Sequence, residues 1–317
     1  MSALKSGFSV CVLGLAGMLS AQAEELLKPF LSAPDQAGDV RTVGEQVKKS
    51  LKEAGFSVLG EYAVHDTSRV FAVTSDVLRK TAARTERGAY GAVMRVALAE
   101  EGGKVQVSCT HPRYLAKAYR LADSLESVLT ALEGAVGCKT PYGAQGISAR
   151  ELADYHYAVG MEYFEDVYDL GKYASFEEAV KTVEANLAEK KAGVGKVYRV
   201  DIPGRQQVLF GVAMRTKAAG GDKYADDAFQ MAVVDADARK RAAYLPYEIL
   251  VNGAKAEALH MRYRMALYFP DLPMVGDGPS FFKLSSSPDA VLQVLRTVSG
   301  GKVDEPSSAQ GWQMGGQ

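Results

Sequence analysis

The chain is predicted to fold as an α+β protein of two lobes, each an antiparallel sheet covered on one face by helices. Three observations carry this: a helix signal that occurs twice at matching positions, a pair of strand candidates after each, and a β-hairpin plus a further helix after each pair. The first signal is TVGEQVKKSLKEAGF. Thr42 and Glu45 have the spacing of a capping box, Val43, Val47 and Leu51 share one helical face, and Gly55 supplies a stop. The second is SFEEAVKTVEANLAEKKAGV, where Ser175 and Glu178 repeat the box and Phe176, Val180 and Val183 or Leu187 rebuild the stripe.

SVLGEYAV and RVFAVTS follow the first signal; KVYRVDI and QVLFGVAM, joined by the turn-forming PGRQ, follow the second. Hairpins then come at Gly88–Tyr119 and Ala242–Met274, the latter around Asn252-Gly253. LADSLESVLTALEGAVG and SPDAVLQVLRTVSGG close the two units as helices, with Ser287 as N-cap and Pro288 in the first turn of the last. LLKPFLS and MEYFEDVYDL are candidate leading strands. TPYGAQGIS is the expected joint, ending in a further capping box from Ser148 to Glu151.

Lys5, the apolar run FSVCVLGLAGML and Ala21-Gln22-Ala23 read as a signal peptide over residues 1–23, which places the protein in a periplasmic or secreted compartment. The organisation that follows is a first α+β lobe over 24–140, a second over 141–301, and a flexible tail over 302–317. No later segment is apolar for the ~18 residues a membrane span needs. The formal net charge is −1, and removing the leader takes away a lysine and no acid, so the basic footprint of a nonspecific nucleic-acid binder is missing.

Cys109 and Cys138 remain after the leader, and in an oxidising compartment they can pair. Cys109 also shares strand parity with Val105 and Val107, so a small buried thiol is the competing reading.

GMEYFED, VYRVDIPGRQQVLFGVAM, LPYEILVNG, MRYRMALYFPDLPM and SSSPDAVLQVLRTVSGG together resemble the exported bacterial proteins of the domain of unknown function 302 family, over residues 40–301. The resemblance implies a TATA-binding-protein-like fold, a curved antiparallel sheet backed by helices, in tandem. It implies no activity.

The second hairpin supplies the candidate site. Continued as a strand, its second arm turns Leu259, Met261, Tyr263, Met265 and Leu267 toward the helices and His260, Arg262 and Arg264 outward. Glu248 of the first arm joins that outward face if the loop has three or five residues, whereas a two-residue turn would set apolar positions beside polar ones. Glu248, His260, Arg262 and Arg264 then form a polar sheet face able to grip a small anionic ligand or a protein partner. Two alternatives stand beside this: a hydrolase using Glu248 and His260 as an acid–base pair, and a solvated face on a purely structural protein.

No metal site or cofactor is expected. His65, His111, His156 and His260 lack zinc-type spacing, and Asp235-x-Asp237 lacks the remaining calcium-loop ligands. GAVGCKT ends a helix where a phosphate loop would start one, and Ser280-x-x-Lys283 lacks the companion motifs of serine acyl enzymes. His111 is expected to cap or pack, with Phe269 at the matching place before Pro270.

Overall fold

The computed structural model describes residues 24–302; the expected leader at 1–23 and residues 303–317 of the expected tail lie outside the described residues. In chain order the first part comprises β1 (Leu26–Leu27), β2 (Phe30–Ser32), α1 (Val40–Glu53), β3 (Ser57–Tyr62), β4 (Ser68–Thr74), α2 (Asp76–Ala82), β5 (Met94–Glu101), β6 (Lys104–Thr110), α3 (Pro112–Ala118), α4 (Glu126–Val136) and β7 (Thr140–Tyr142). The second comprises β8 (Ile147–Ser148), α5 (Ala149–Ala153), β9 (Val167–Lys172), α6 (Phe176–Ala188), β10 (Val194–Asp201), β11 (Gln207–Met214), α7 (Asp227–Val234), β12 (Tyr247–Asn252), β13 (Lys255–Leu259), α8 (Met261–Tyr268) and α9 (Ser287–Ser299). Two large antiparallel sheets result, ordered β3-β4-β5-β6-β2-β7 and β10-β11-β12-β13-β9, and β1 pairs with β8 in a small two-stranded antiparallel sheet, so the architecture is α+β, as expected.

The helices form where the local signals are strongest. Val43, Val47 and Leu51 recur once per turn in α1 and are all buried. Its cap is Asp39, whose carboxylate accepts from the N–H groups of Arg41 and Thr42; Thr42, the expected cap, donates its hydroxyl to Asp39 instead. Ser175 caps α6 by accepting from Glu178 N–H, and Ser148 with Glu151 makes the complete reciprocal box at α5. α9 begins one residue earlier than expected, with Ser286 at its N-cap.

α1 packs on β3, β4 and β5, and α6 and α9 pack on the second sheet, so these helices cover the outer faces. The inner faces look at one another, because Arg95 on the central strand β5 contacts Glu248 on the central strand β12. Short 3-10 turns at Gly88–Gly91 and Ala242–Tyr244 each pack against the opposite sheet. Edge strands β3 and β10 meet at facing bulges, where a Cβ on Gly60 would come within 2.1 Å of the Val197 carbonyl oxygen. Both faces of β12 are therefore dry, and this corrects the expectation of an outward polar face.

The β12–β13 register shows the same thing. Asn252 pairs with Lys255 around a two-residue turn, Gly253-Ala254, and Leu250 lies opposite Glu257. Mixed apolar and polar rows are tolerated because the inner acids find partners in the first half of the chain, Glu248 in Arg95 of β5 and Glu257 in Arg87 of the loop before β5.

Cys109 at the end of β6 and Cys138 just beyond α4 are joined in a disulfide that ties the first sheet to a covering helix. The bond closes a separation of 29 residues. In the chain-entropy account, Cys109→Ala/Cys138→Ala should lose about 3–4 kcal/mol of unfolding free energy, read from urea denaturation under non-reducing conditions.

Candidate functional site

The four residues expected on one sheet face separate into two environments. The second arm of the hairpin stops at Leu259, and Met261–Tyr268 is a helix, buried nearly all round. Met, Arg, Leu and Ala are good helix formers, and the His260 imidazole closes the start: its Nδ1 accepts from Arg262 N–H at 3.2 Å. The helical turn takes Arg264 away from Arg262 and into the space between the sheets, where its side chain is fully buried.

There it meets Glu248. Arg95 Nη1 donates to the Tyr268 hydroxyl at 2.9 Å, and Arg95 Nη2 forms an ion pair with Glu248 Oε1, which also accepts from the Tyr198 hydroxyl at 2.7 Å. Register explains how Tyr198 arrives: Gly211 on β11 stands between Tyr198 on β10 and Glu248 on β12, and a Cβ on Gly211 would lie 2.0 Å from the tyrosine ring. The absent side chain leaves room for the ring to cross β11. Arg264 Nη2 donates to the carbonyls of Tyr244 and Pro246 at 2.5 and 2.7 Å, and its guanidinium lies 4.2 and 4.6 Å from the ring centroids of Tyr244 and Tyr247. Its Nε is 3.9 Å from Glu248 Oε2. Burial and the Glu248 carboxylate push the Tyr198 phenol well above its ordinary pKa, so it stays a neutral donor.

Further polar links join the two halves of the chain. Arg87 Nε donates to Glu257 at 2.8 Å, and the Tyr62 hydroxyl donates to Asp227 at 2.7 Å. Asp227, at the start of α7, is pushed up to about 7 by burial.

His260 and Arg262 sit apart, at the start of α8. Arg262 Nη2 contacts Glu162 at 2.8 Å, His260 Nε2 lies 3.5 Å from the same oxygen, and the Tyr168 ring is 4.3 Å from the imidazole. Burial, then Arg262, drives His260 down to about 3, and burial raises Glu162. Glu248 and His260, the expected acid–base pair, have separate partners and share no hydrogen bond.

α3 begins in the same way. His111 Nδ1 accepts from Tyr114 N–H at 3.3 Å, and Arg113 makes a two-point ion pair with Glu25. Burial, then Arg113, lowers His111 to about 4. His111-x-Arg113-Tyr114 and His260-x-Arg262-Tyr263 are the same motif, and each continues at the same spacing to a tyrosine, Tyr119 or Tyr268. The residue matching His111 is thus His260, where Phe269 was expected. The contacts are reciprocal: Tyr114 donates to the Leu267 carbonyl at 2.6 Å, Tyr263 to the Ala118 carbonyl at 3.1 Å, and the hydroxyls of Tyr119 and Tyr268 meet at 3.3 Å. This motif was present in the sequence, hidden because its second occurrence was read as strand.

The concave surfaces lie elsewhere. An open groove of about 960 Å³ follows the segment after β8 and carries Ser148, Glu151, Asp154, Tyr155, His156 and Asp271. It is held against α8 by the Tyr155 hydroxyl, which donates to the Ala266 carbonyl at 3.0 Å. A second cavity, of about 420 Å³, opens where β3 meets β10 and is lined by Tyr62, Lys190 and Arg215 among others. Among the described residues there is no group of His, Cys, Asp and Glu able to hold a metal ion, and no helix long and apolar enough to cross a membrane.

No protein-family model matches the chain, and no curated protein matches it. Among solved structures, it is similar to an uncharacterised conserved protein, DUF302, from Bacillus stearothermophilus, with 15% identity and a TM-score of 0.31; the match covers 35% of this chain and 98% of that one.

Removing one partner of a buried ion pair leaves the other charge stranded. Glu248→Leu should therefore lose about 3–5 kcal/mol of unfolding free energy, and adding Arg95→Met should restore part of it. Urea denaturation of the single and double variants reads this coupling; additive losses would show that the pair does not act as a unit.

The histidines set an acid limit. Their folded pKa values lie below the ordinary 6.5, so the native state binds fewer protons than the unfolded chain, and stability present above 6.5 is lost as pH falls toward about 4 and then 3. His260→Asn retains a capping oxygen without the titration. Its stability should fall less than that of the parent chain between about pH 7 and pH 4.5, measured as urea midpoints at both pH values.

Proposed function

We propose that the chain is a noncatalytic, exported binding protein of two lobes derived from one duplicated unit, taking a small anionic ligand on its outer surface. The observation that carries the noncatalytic reading is the fate of Glu248. It is 1% exposed and engaged by Arg95 and Tyr198, so it cannot meet a substrate, and the His260 imidazole is committed to the start of α8. A general acid–base pair needs both groups within reach of a reacting atom in a concave site. On this reading the ligand is taken at a surface cavity, because Glu248 and Arg264 are buried.

Export is supported by the lysine, apolar run and Ala-Gln-Ala of residues 1–23, and the Cys109–Cys138 disulfide suits an oxidising compartment. Duplication is supported by the repeated His-x-Arg-Tyr motif and the reciprocal tyrosine contacts. The lobes span about residues 24–140 and 141–301, in an arrangement related to tandem TATA-binding-protein-like units.

A thermal-shift screen of metabolites and inorganic anions, run alongside a panel of ester, amide and phosphoester substrates, tests the reading. A ligand present at 100 times its dissociation constant stabilises by about 2.7 kcal/mol, well within detection. The expected outcome is stabilisation by at least one anion with no turnover. Turnover abolished by Glu162→Gln would overturn the noncatalytic assignment.

A further inference from the structure

We infer that the cavity between β3 and β10 is a binding site for a small, multiply charged oxyanion, a carboxylate or phosphate, gripped by Lys190 and Arg215. The inference rests on the binding-protein reading above and gives its ligand a place.

The open cavity offers about 420 Å³, within the range of small-molecule sites. Its walls carry three cations, Lys190, Lys196 and Arg215, and one acid, Glu61. The acid is already held by Lys48 at 3.5 Å and Arg69 at 3.3 Å, and Lys196 is engaged by Glu184 at 2.6 Å. Among the described residues neither Lys190 nor Arg215 has an acidic partner. Two positive charges without an acidic partner thus line one concave wall, and together they attract an anion.

Arg215 is fixed for this task. Its guanidinium lies 5.3 Å from the Tyr62 ring centroid, and Nη2 donates to the Ala63 carbonyl, which leaves further N–H groups of the planar fork for two-point binding of an oxyanion. Lys190 is carried on a turn that holds two non-glycine residues in the left-handed region, Lys190 and Ala192, both with φ of 53°. Such backbone is disfavoured and persists where the surroundings enforce it. Here the enforcement comes from the Arg215 strand: Arg215 N–H donates to the Gly193 carbonyl at 2.9 Å, and a Cβ on Gly193, whose φ is 74°, would lie 2.8 Å from the Arg215 carbonyl oxygen. The strained turn and the arginine are one unit, which keeps both cations on the same cavity.

Isothermal titration of the full chain with inorganic phosphate, succinate and citrate at low ionic strength provides the test. At least one should bind saturably, more weakly as salt is added, with affinity falling about tenfold in Arg215→Ala and in Lys190→Ala. Ala218→Glu, an exposed wall position, should abolish binding while leaving the fold intact by circular dichroism. Absence of saturable binding up to about 10 mM of all three anions, or binding unchanged by Arg215→Ala and Ala218→Glu, overturns the site. A stabilising ligand from the wider screen that ignores these substitutions would overturn this site alone, whereas Glu162-dependent turnover would overturn the noncatalytic reading and leave the cavity to be judged by its own titration.

Discussion

The structure depends on burying full charges between two sheets. Arg95, Glu248 and Arg264 are essentially inaccessible to water, and transferring each from water costs several kcal/mol before any partner is found. That cost is offset only when β5 and β12 face each other in the observed register, with Tyr198, Tyr268 and the carbonyls of Tyr244 and Pro246 completing the polar contacts. A purely apolar interface would tolerate sliding. This one does not, because a one-residue slip would turn Glu248 toward the helices and leave both guanidinium groups without a carboxylate.

Around that cluster, α3 and α8 act as braces. Each begins at a histidine whose ring nitrogen closes the first turn, each carries an arginine paired to a glutamate, and each sends a tyrosine to a backbone carbonyl of the other. The reciprocity explains why the two histidines are neutral structural groups: a protonated imidazole would lose the acceptor that the helix start requires. It also places Tyr119 against Tyr268, and Tyr268 against Arg95, so the braces and the charge cluster form one continuous polar network.

Much of this framework was legible in the sequence because its signals are local. The stripe of Val43, Val47 and Leu51, the Ser148–Glu151 box, the Gly137 helix stop and the strands of the first hairpin need only a few neighbouring residues to act. The candidate site was not legible, for the opposite reason. MRYRMALY alternates apolar residues with arginine and fits a strand by parity, yet what decides its structure is distant: an imidazole cap before it and carbonyl partners for Arg264 some twenty residues upstream. Arg95, in MRVALAE, is a lone charge among apolar neighbours, and its carboxylate partner, Glu248, lies far along the chain. The turn at Gly253-Ala254 was misjudged because one face of the sheet was assumed to be wet.

The pairing of Arg95 with Glu248 also makes one half of the chain dependent on the other. The amino-terminal sheet carries a cationic group on its inner face, and the counterion that neutralises it lies beyond β10 and β11 in the sequence. An amino-terminal half excised on its own would leave that guanidinium without its carboxylate.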